Sequence, residues 1–336
     1  MESERWPGER SWAWYTARPW MLGFNFVPST ACNTTQMWQA DTYDSTTIDR
    51  ELGWAAAIGF NSARVFVQYM VWRDDPDGLK SRFRALLEMA NRRGISIVPV
   101  LLDDCAFGAP PTLDPYLGRQ NEPTPGMILP SWTPSPGVQL GTDLAEQPRL
   151  RDYVQDLITT FAPHPAIAFW DLFNEPGNIA KVGTADFLTR LFAWARELAP
   201  PQPLTVGTFN DEHPALNHLI HHASDIITFH TYANLDGLLA TIGALQPLGY
   251  PLLCTEWMAR GQGSRIESHL PLFHRHQIAC YQWGLVNGRT QCQYPWSNHP
   301  GDPVPREGWF HDLLHADGTA YRTEEVEAVR RLRDRT

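Results

Sequence analysis

No run of apolar residues approaches the roughly 18 that a membrane-spanning helix needs, so a soluble protein with no membrane partner is expected. Basic residues are in deficit: 27 Lys and Arg stand against 37 Asp and Glu, a formal net charge of -10. That balance repels a phosphate backbone and no basic stripe offsets it, so nucleic acid is not an expected partner. The first ten residues, Met1 to Arg10, begin acidic and lack an apolar segment, so they do not read as a secretory signal, although a leader removed by processing would leave the same sequence. Cysteine is scarce and odd in number, with Cys32, Cys105, Cys254, Cys280 and Cys292, of which only the last two lie near one another. A disulfide framework is not expected, and reduced thiols suit a cytoplasmic location.

What is present is ordinary globular material, 43% hydrophobic and 19% charged, with 14 Trp and 28 Pro. At 336 residues the chain is longer than most domains, but (β/α)8 barrels commonly reach this size around one core, so residues 1–336 are expected to form a single domain. One stretch organises the rest. Residues 166–176 form an apolar run of strand length that ends in Asn174-Glu175-Pro176, which stops the strand and leaves a carboxylate at its tip. A second run, 251–257, likewise closes on Glu256.

Strands are expected over 20–26, 61–67, 95–102, 166–174, 204–208, 226–230, 251–255 and 279–286. Helical patterns alternate with them. Asp44-Ser45 opens one that Gly59 stops; Leu79 to Ala90, Leu150 to Phe161 and Phe187 to Leu198 carry others; further helices centre near Leu239 and Leu272, and the last covers 324–333. Eight strands alternating with helices, and no dinucleotide fingerprint after the first, predict an α/β fold of the closed (β/α)8 type. Residues 103–148 are rich in Pro and Gly and far longer than a usual βα loop. The segment after the eighth strand is long too, and the two together could wall the barrel mouth into a pocket.

Active sites of such barrels lie at the C-terminal ends of the strands. The residues there are Asn25, Arg64, Asp103, Asp104, Asn174, Glu175, Asn210, His230, Tyr232, Glu256 and Trp283. Two glutamates on different strands supply what glycosidic hydrolysis needs, an acid for the leaving oxygen and a carboxylate to trap an oxocarbenium-like centre. A separation of about 5 Å would give retention, and roughly 6.5–9.5 Å inversion.

As an ordered set, Asn174-Glu175-Pro176 on the fourth strand, Glu256 on the seventh, Arg64 on the second, His230-Thr231-Tyr232 on the sixth and Trp283 on the eighth resemble the cellulase-type glycoside hydrolases of family 5, in the clan of retaining barrel glycosidases. The resemblance spans roughly Trp20 to Trp283. It implies a carbohydrate substrate, no cofactor and no metal, with Glu175 as acid/base and Glu256 as nucleophile. It further implies that Asn174 bonds the sugar 2-hydroxyl, Tyr232 orients the nucleophile, His230 lines the same wall, Arg64 keeps Glu256 ionised and Trp283 floors the subsite. Where many relatives carry His near the end of the third strand, this chain has Asp103-Asp104-Cys105; either aspartate could bind sugar, cap the loop or pair with Arg.

Asn121-Glu122-Pro123 repeats the tripeptide in the third loop without an apolar run before it, so context, not the motif, selects Glu175. Trp38, Trp72, Trp257, Trp296 and Trp309 are candidate sugar platforms or packing residues. His218, His221 and His222 share helical spacing and read as an exposed polar face rather than a metal site. Besides hydrolysis, the same residues could serve a transglycosylase, and a noncatalytic sugar-binding barrel is the reading from another class.

Overall fold

The computed structural model describes residues 5–108, 111–179, 184–306 and 308–333; Met1 to Glu4 and residues 109–110 of the third loop lie outside them. The strands are β1 (Leu22–Asn25), β2 (Ser62–Phe66), β3 (Ser96–Val100), β4 (Trp170–Asn174), β5 (Leu204–Gly207), β6 (Ile227–His230), β7 (Leu252–Trp257) and β8 (Ala279–Gln282). All pair in parallel in the order β5-β4-β3-β2-β1-β8-β7-β6, and a parallel bridge between Thr208 and Phe229 joins β5 to β6. The expected (β/α)8 barrel is the observed one. β4 is shorter than expected because Ala166 to Phe169 enter the barrel without regular pairing.

Local chemistry explains several boundaries. The Asp44 side chain accepts the Thr47 N–H at 3.0 Å and starts the helix Ser45–Ile58, and Gly59, at φ 121°, ends it in a conformation that a side chain would strain. Asp75 caps the helix Pro76–Asn91 in the same way, with Pro76 at its first turn. Apolar faces of these helices pack on the outside of the strands in one continuous core. At the other end of the barrel, an N-terminal helix absent from the sequence reading, Gly8–Thr16, packs Trp14 and Tyr15 against Val98, Phe169, Leu253 and Tyr281. It is fastened by the Tyr15 hydroxyl, which donates to the Gln277 carbonyl at 2.6 Å. That end is therefore plugged, and the C-terminal ends of the strands face a cavity. Among the described residues no helix is long and apolar enough to cross a membrane.

Candidate active site

Parallel register brings the functional side chains to one rim. Asn25 pairs with Arg64, Asp103 bridges Asn174, and His230 pairs with Glu256. Register shifts in β4–β5 and β6–β7 fall at Asn174 and at His230, the places where a strand must turn a side chain inward. Glu175 itself has φ 46°, sparsely populated for a residue with a Cβ, and Pro176 prevents the ladder from continuing.

Glu256 is held on both oxygens. Arg64 Nη1 donates to Oε1 at 2.7 Å and the Tyr232 hydroxyl donates to Oε2 at 2.8 Å. Arg64 is fully buried and spreads its guanidinium over Asp171 (2.9 Å), Asn25 (2.9 Å) and Asn174 (2.6 Å) as well. Burial alone would lower its pKa; Asp171 and Glu256 more than reverse this and raise it, so the cation is permanent. Burial also raises the Tyr232 phenol, with Glu256 adding to the effect, so Tyr232 remains a donor.

Glu175 has no such cation. His230 Nδ1 lies 2.7 Å from its Oε1, while Asn178 (2.8 Å) and the Cys105 thiol (3.1 Å) donate to Oε2. Burial pushes both glutamates above the usual carboxylate range. Burial likewise lowers His230 to about 4, leaving a neutral imidazole between the acids. Of the two, Glu256 is better suited to carry the charge, because a buried guanidinium touches it and none touches Glu175. One oxygen from each glutamate and a ring nitrogen of His230 all lie within 4.8 Å of one another. A cation could bridge three such atoms, but Arg64 already supplies positive charge to Glu256.

Asn174, next to the acid, is set by two opposed partners, accepting from Arg64 and donating from Nδ2 to Asp103 Oδ1 at 2.8 Å. Asp103 also accepts from Trp132 Nε1 at 2.7 Å, and burial raises its carboxyl to about 7. Asp103 thus stands behind Asn174 and Trp132, outside the cavity lining. Asp104 caps the turn after the acid, accepting the N–H groups of Gly177 (3.0 Å) and Ile179 (3.1 Å).

These residues border a cavity of about 270 Å³. Glu175, Glu256, Asn174, His230, Tyr232 and Trp283 line it as expected. The third loop contributes Cys105, Phe107, Leu129 and Trp132, and the segment after β8 contributes Trp296 and His311. The two long segments bond each other, Gly301 N–H to the Pro125 carbonyl at 2.8 Å and Leu129 N–H to the Thr290 carbonyl at 2.8 Å, and so wall the mouth together. A larger hollow of about 500 Å³ lies between the helices Ile266–Arg275 and Thr323–Arg333, with neither glutamate near it.

Other expectations fall elsewhere. Trp257 is 1% exposed and faces the helices, stacked on His269, because alternation along β7 sends Glu256 inward and its neighbour out. Trp38 is buried with its Nε1 on the Phe66 carbonyl, Trp72 bonds Asp156, and Trp309 stacks on Tyr321, so of the five extra tryptophans Trp296 alone lines the cavity. Asn210 accepts the Glu212 N–H at 3.0 Å within its own loop. The decoy Glu122 is exposed and pairs with Arg289 at 3.0 Å. His218 and His222 stack with centroids 4.0 Å apart on the helix Pro214–Ala223. Trp132, Asn178 and His311 had no role in the sequence reading; Trp132 and His311 sit in aperiodic segments where nothing local marks them.

No family model and no curated protein sequence matches the chain. Solved structures do. An exo-β-1,4-mannosidase from Opitutaceae bacterium strain TAV5 superposes with a TM-score of 0.65 at 19% identity over 95% of this chain, which spans 60% of that one. GH5_18 from Streptomyces cattleya in complex with GlcNAc gives 0.59 at 15% identity, covering 95% of this chain and 82% of its own. A glycoside hydrolase family 5 mannosidase from Rhizomucor miehei gives 0.60 at 14% identity, covering 94% and 93%. The chain shares its (β/α)8 fold with the glycoside hydrolases of family 5.

Proposed function

We propose that the protein is a retaining β-glycosidase that works from chain ends or on short β-mannosides and related β-glycosides, in a reducing compartment such as the cytoplasm. The observation that carries the reading is the asymmetry of the two glutamates: Glu256 lies between Arg64 and Tyr232, while Glu175 has only neutral partners, with one oxygen of each inside 4.8 Å. In the first step a Glu256 oxygen bonds the anomeric carbon as the glycosidic C–O bond breaks, and Glu175 gives its proton to the leaving oxygen. In the second, Glu175 takes a proton from water, the water oxygen bonds the anomeric carbon and Glu256 leaves. Asn174, fixed by Arg64 and Asp103, presents an amide to the sugar beside the acid. An oxygen–oxygen approach inside 4.8 Å supports retention, since inversion needs carboxyl groups roughly 6.5–9.5 Å apart.

Exo action is supported by cavity size. About 270 Å³ is small beside the roughly 300–1,000 Å³ usual for ligand pockets, and two interlocked loops wall it. The mannoside preference is suggested by the structural neighbours described as mannosidases. Five buried, unpaired cysteines support the compartment. The test is hydrolysis of a panel of nitrophenyl glycosides, with the released sugar followed by NMR. The β anomer should appear first from a β-mannoside; first appearance of the α anomer would rule out the double displacement.

A further inference from the structure

Resting on the glycosidase reading, we infer that His311 is a substrate-recognition residue whose Nε2 accepts a hydrogen bond from a hydroxyl of a neutral sugar in the cavity. His311 is 1% exposed yet borders the cavity, its ring packed against Tyr232 (centroids 5.6 Å) and Trp296 (5.7 Å), which also contact each other (4.9 Å). Its Nδ1 lies 2.5 Å from the Met258 carbonyl. A carbonyl can only accept, so Nδ1 carries the hydrogen, and in a neutral ring Nε2 is then a bare lone pair. Burial lowers this histidine to about 3, which keeps it neutral. Nε2 has no hydrogen-bond partner among the described residues, and the polar atom is left to whatever fills the cavity.

The backbone around it is built to hold still. Arg260, buried, donates to the carbonyls of Trp309 (3.1 Å), His311 and Asp312 (2.9 Å), and pairs through its other edge with Glu325. His311 N–H donates to the Cys292 carbonyl at 3.0 Å. A fixed acceptor selects a donor, and a sugar hydroxyl is the donor available. Sugars alkylated, or oxidised to a carboxylate, at the position that faces Nε2 bring no hydrogen there, and leave the lone pair facing another lone pair.

The two amide isosteres of histidine separate the roles. Asparagine places its amide nitrogen where Nδ1 sits and keeps the bond to Met258; glutamine reaches the Nε2 position with a carbonyl oxygen. Calorimetric binding of β-1,4-mannobiose is measured in a Glu175→Gln background, which blocks turnover, with thermal melting recorded for each variant. His311→Asn should melt like its parent and bind roughly tenfold more weakly, the loss of about one net hydrogen bond. His311→Gln should stay within about threefold of the parent. Unchanged binding by His311→Asn, or equal weakening in both variants, overturns the inference while the glycosidase reading stands. If the parent binds none of the β-mannoside, β-glucoside or β-N-acetylglucosaminide disaccharides, that reading falls and the inference with it.

Discussion

Arg64 Nη1 lies 2.7 Å from Glu256 Oε1, the guanidinium fully buried and the carboxylate opening on the cavity, and the same guanidinium reaches Asn174 beside Glu175. One cation therefore fixes the charge of the proposed nucleophile and the orientation of the amide proposed to bind the sugar. Replacing Arg64 by Ala leaves Asp171 and Glu256 as buried unpaired acids, so unfolding free energy should fall by about 3–5 kcal/mol. Arg64→Lys keeps the charge but loses the fork, and should recover stability better than kcat/KM. Chemical denaturation and steady-state kinetics on the two variants check this.

A Cβ added at Gly207 would lie 2.8 Å from His230 Nε2. Gly207→Ala should push the ring off Glu175 and cut kcat on the order of 10²-fold, as misplacement by about an ångström does. The barrel should still fold, because the displaced group is a side chain at the rim. Circular dichroism matched to wild type with normal kcat would remove His230 from the acid's support.

Activity should follow a bell in pH, requiring Glu256 ionised and Glu175 protonated, the limbs belonging to the pair. Burial raises Glu175, so activity persists until pH climbs through that elevated value and then falls. The Cys105 thiol is a weak donor to its Oε2. Cys105→Ser puts a stronger donor on the anion, lowers the Glu175 pKa and moves the basic limb to lower pH; Cys105→Ala moves it up. Equal limbs in all three proteins would show that residue 105 does not tune the acid.

Asp103 accepts from Asn174 and Trp132, both buried. Asp103→Ala takes the acceptor from three buried donors, Asn174 Nδ2, Trp132 Nε1 and the Cys105 N–H, at about 1–3 kcal/mol each, and frees the Asn174 amide to turn. Stability and kcat/KM should fall together, whereas a direct sugar ligand would lower kcat/KM alone. Denaturant midpoints beside kinetics separate the outcomes.

The barrel was legible because eight apolar runs alternate with amphipathic helices, and the capping by Asp44 and Gly59 was legible because it is local. Glu175, Glu256, His230 and Tyr232 were legible because each stands at or just past a strand end, where parallel register forces convergence, and Arg64, in the middle of β2, because it is the charged residue of an otherwise uncharged strand. Trp257 misled for a related reason: in a strand, the residue after an inward one points out. Asp103 is a strand-end acid whose partners, Asn174 and Trp132, are 71 and 29 residues away. The helix Gly8–Thr16 depends on contacts across most of the chain, Tyr15 with Gln277 among them, while Trp132 and His311 take partners tens of residues away in aperiodic segments, and no local pattern announces such contacts.

The most direct test uses azide with 2,4-dinitrophenyl β-mannoside and two variants, Glu256→Gly and Glu175→Gly. With Glu256 as nucleophile and Glu175 as acid/base, azide should revive the first to give the α-glycosyl azide and the second to give the β-glycosyl azide. The reverse pairing of products, or no rescue of Glu256→Gly on a substrate that the wild type hydrolyses, would contradict the assignment.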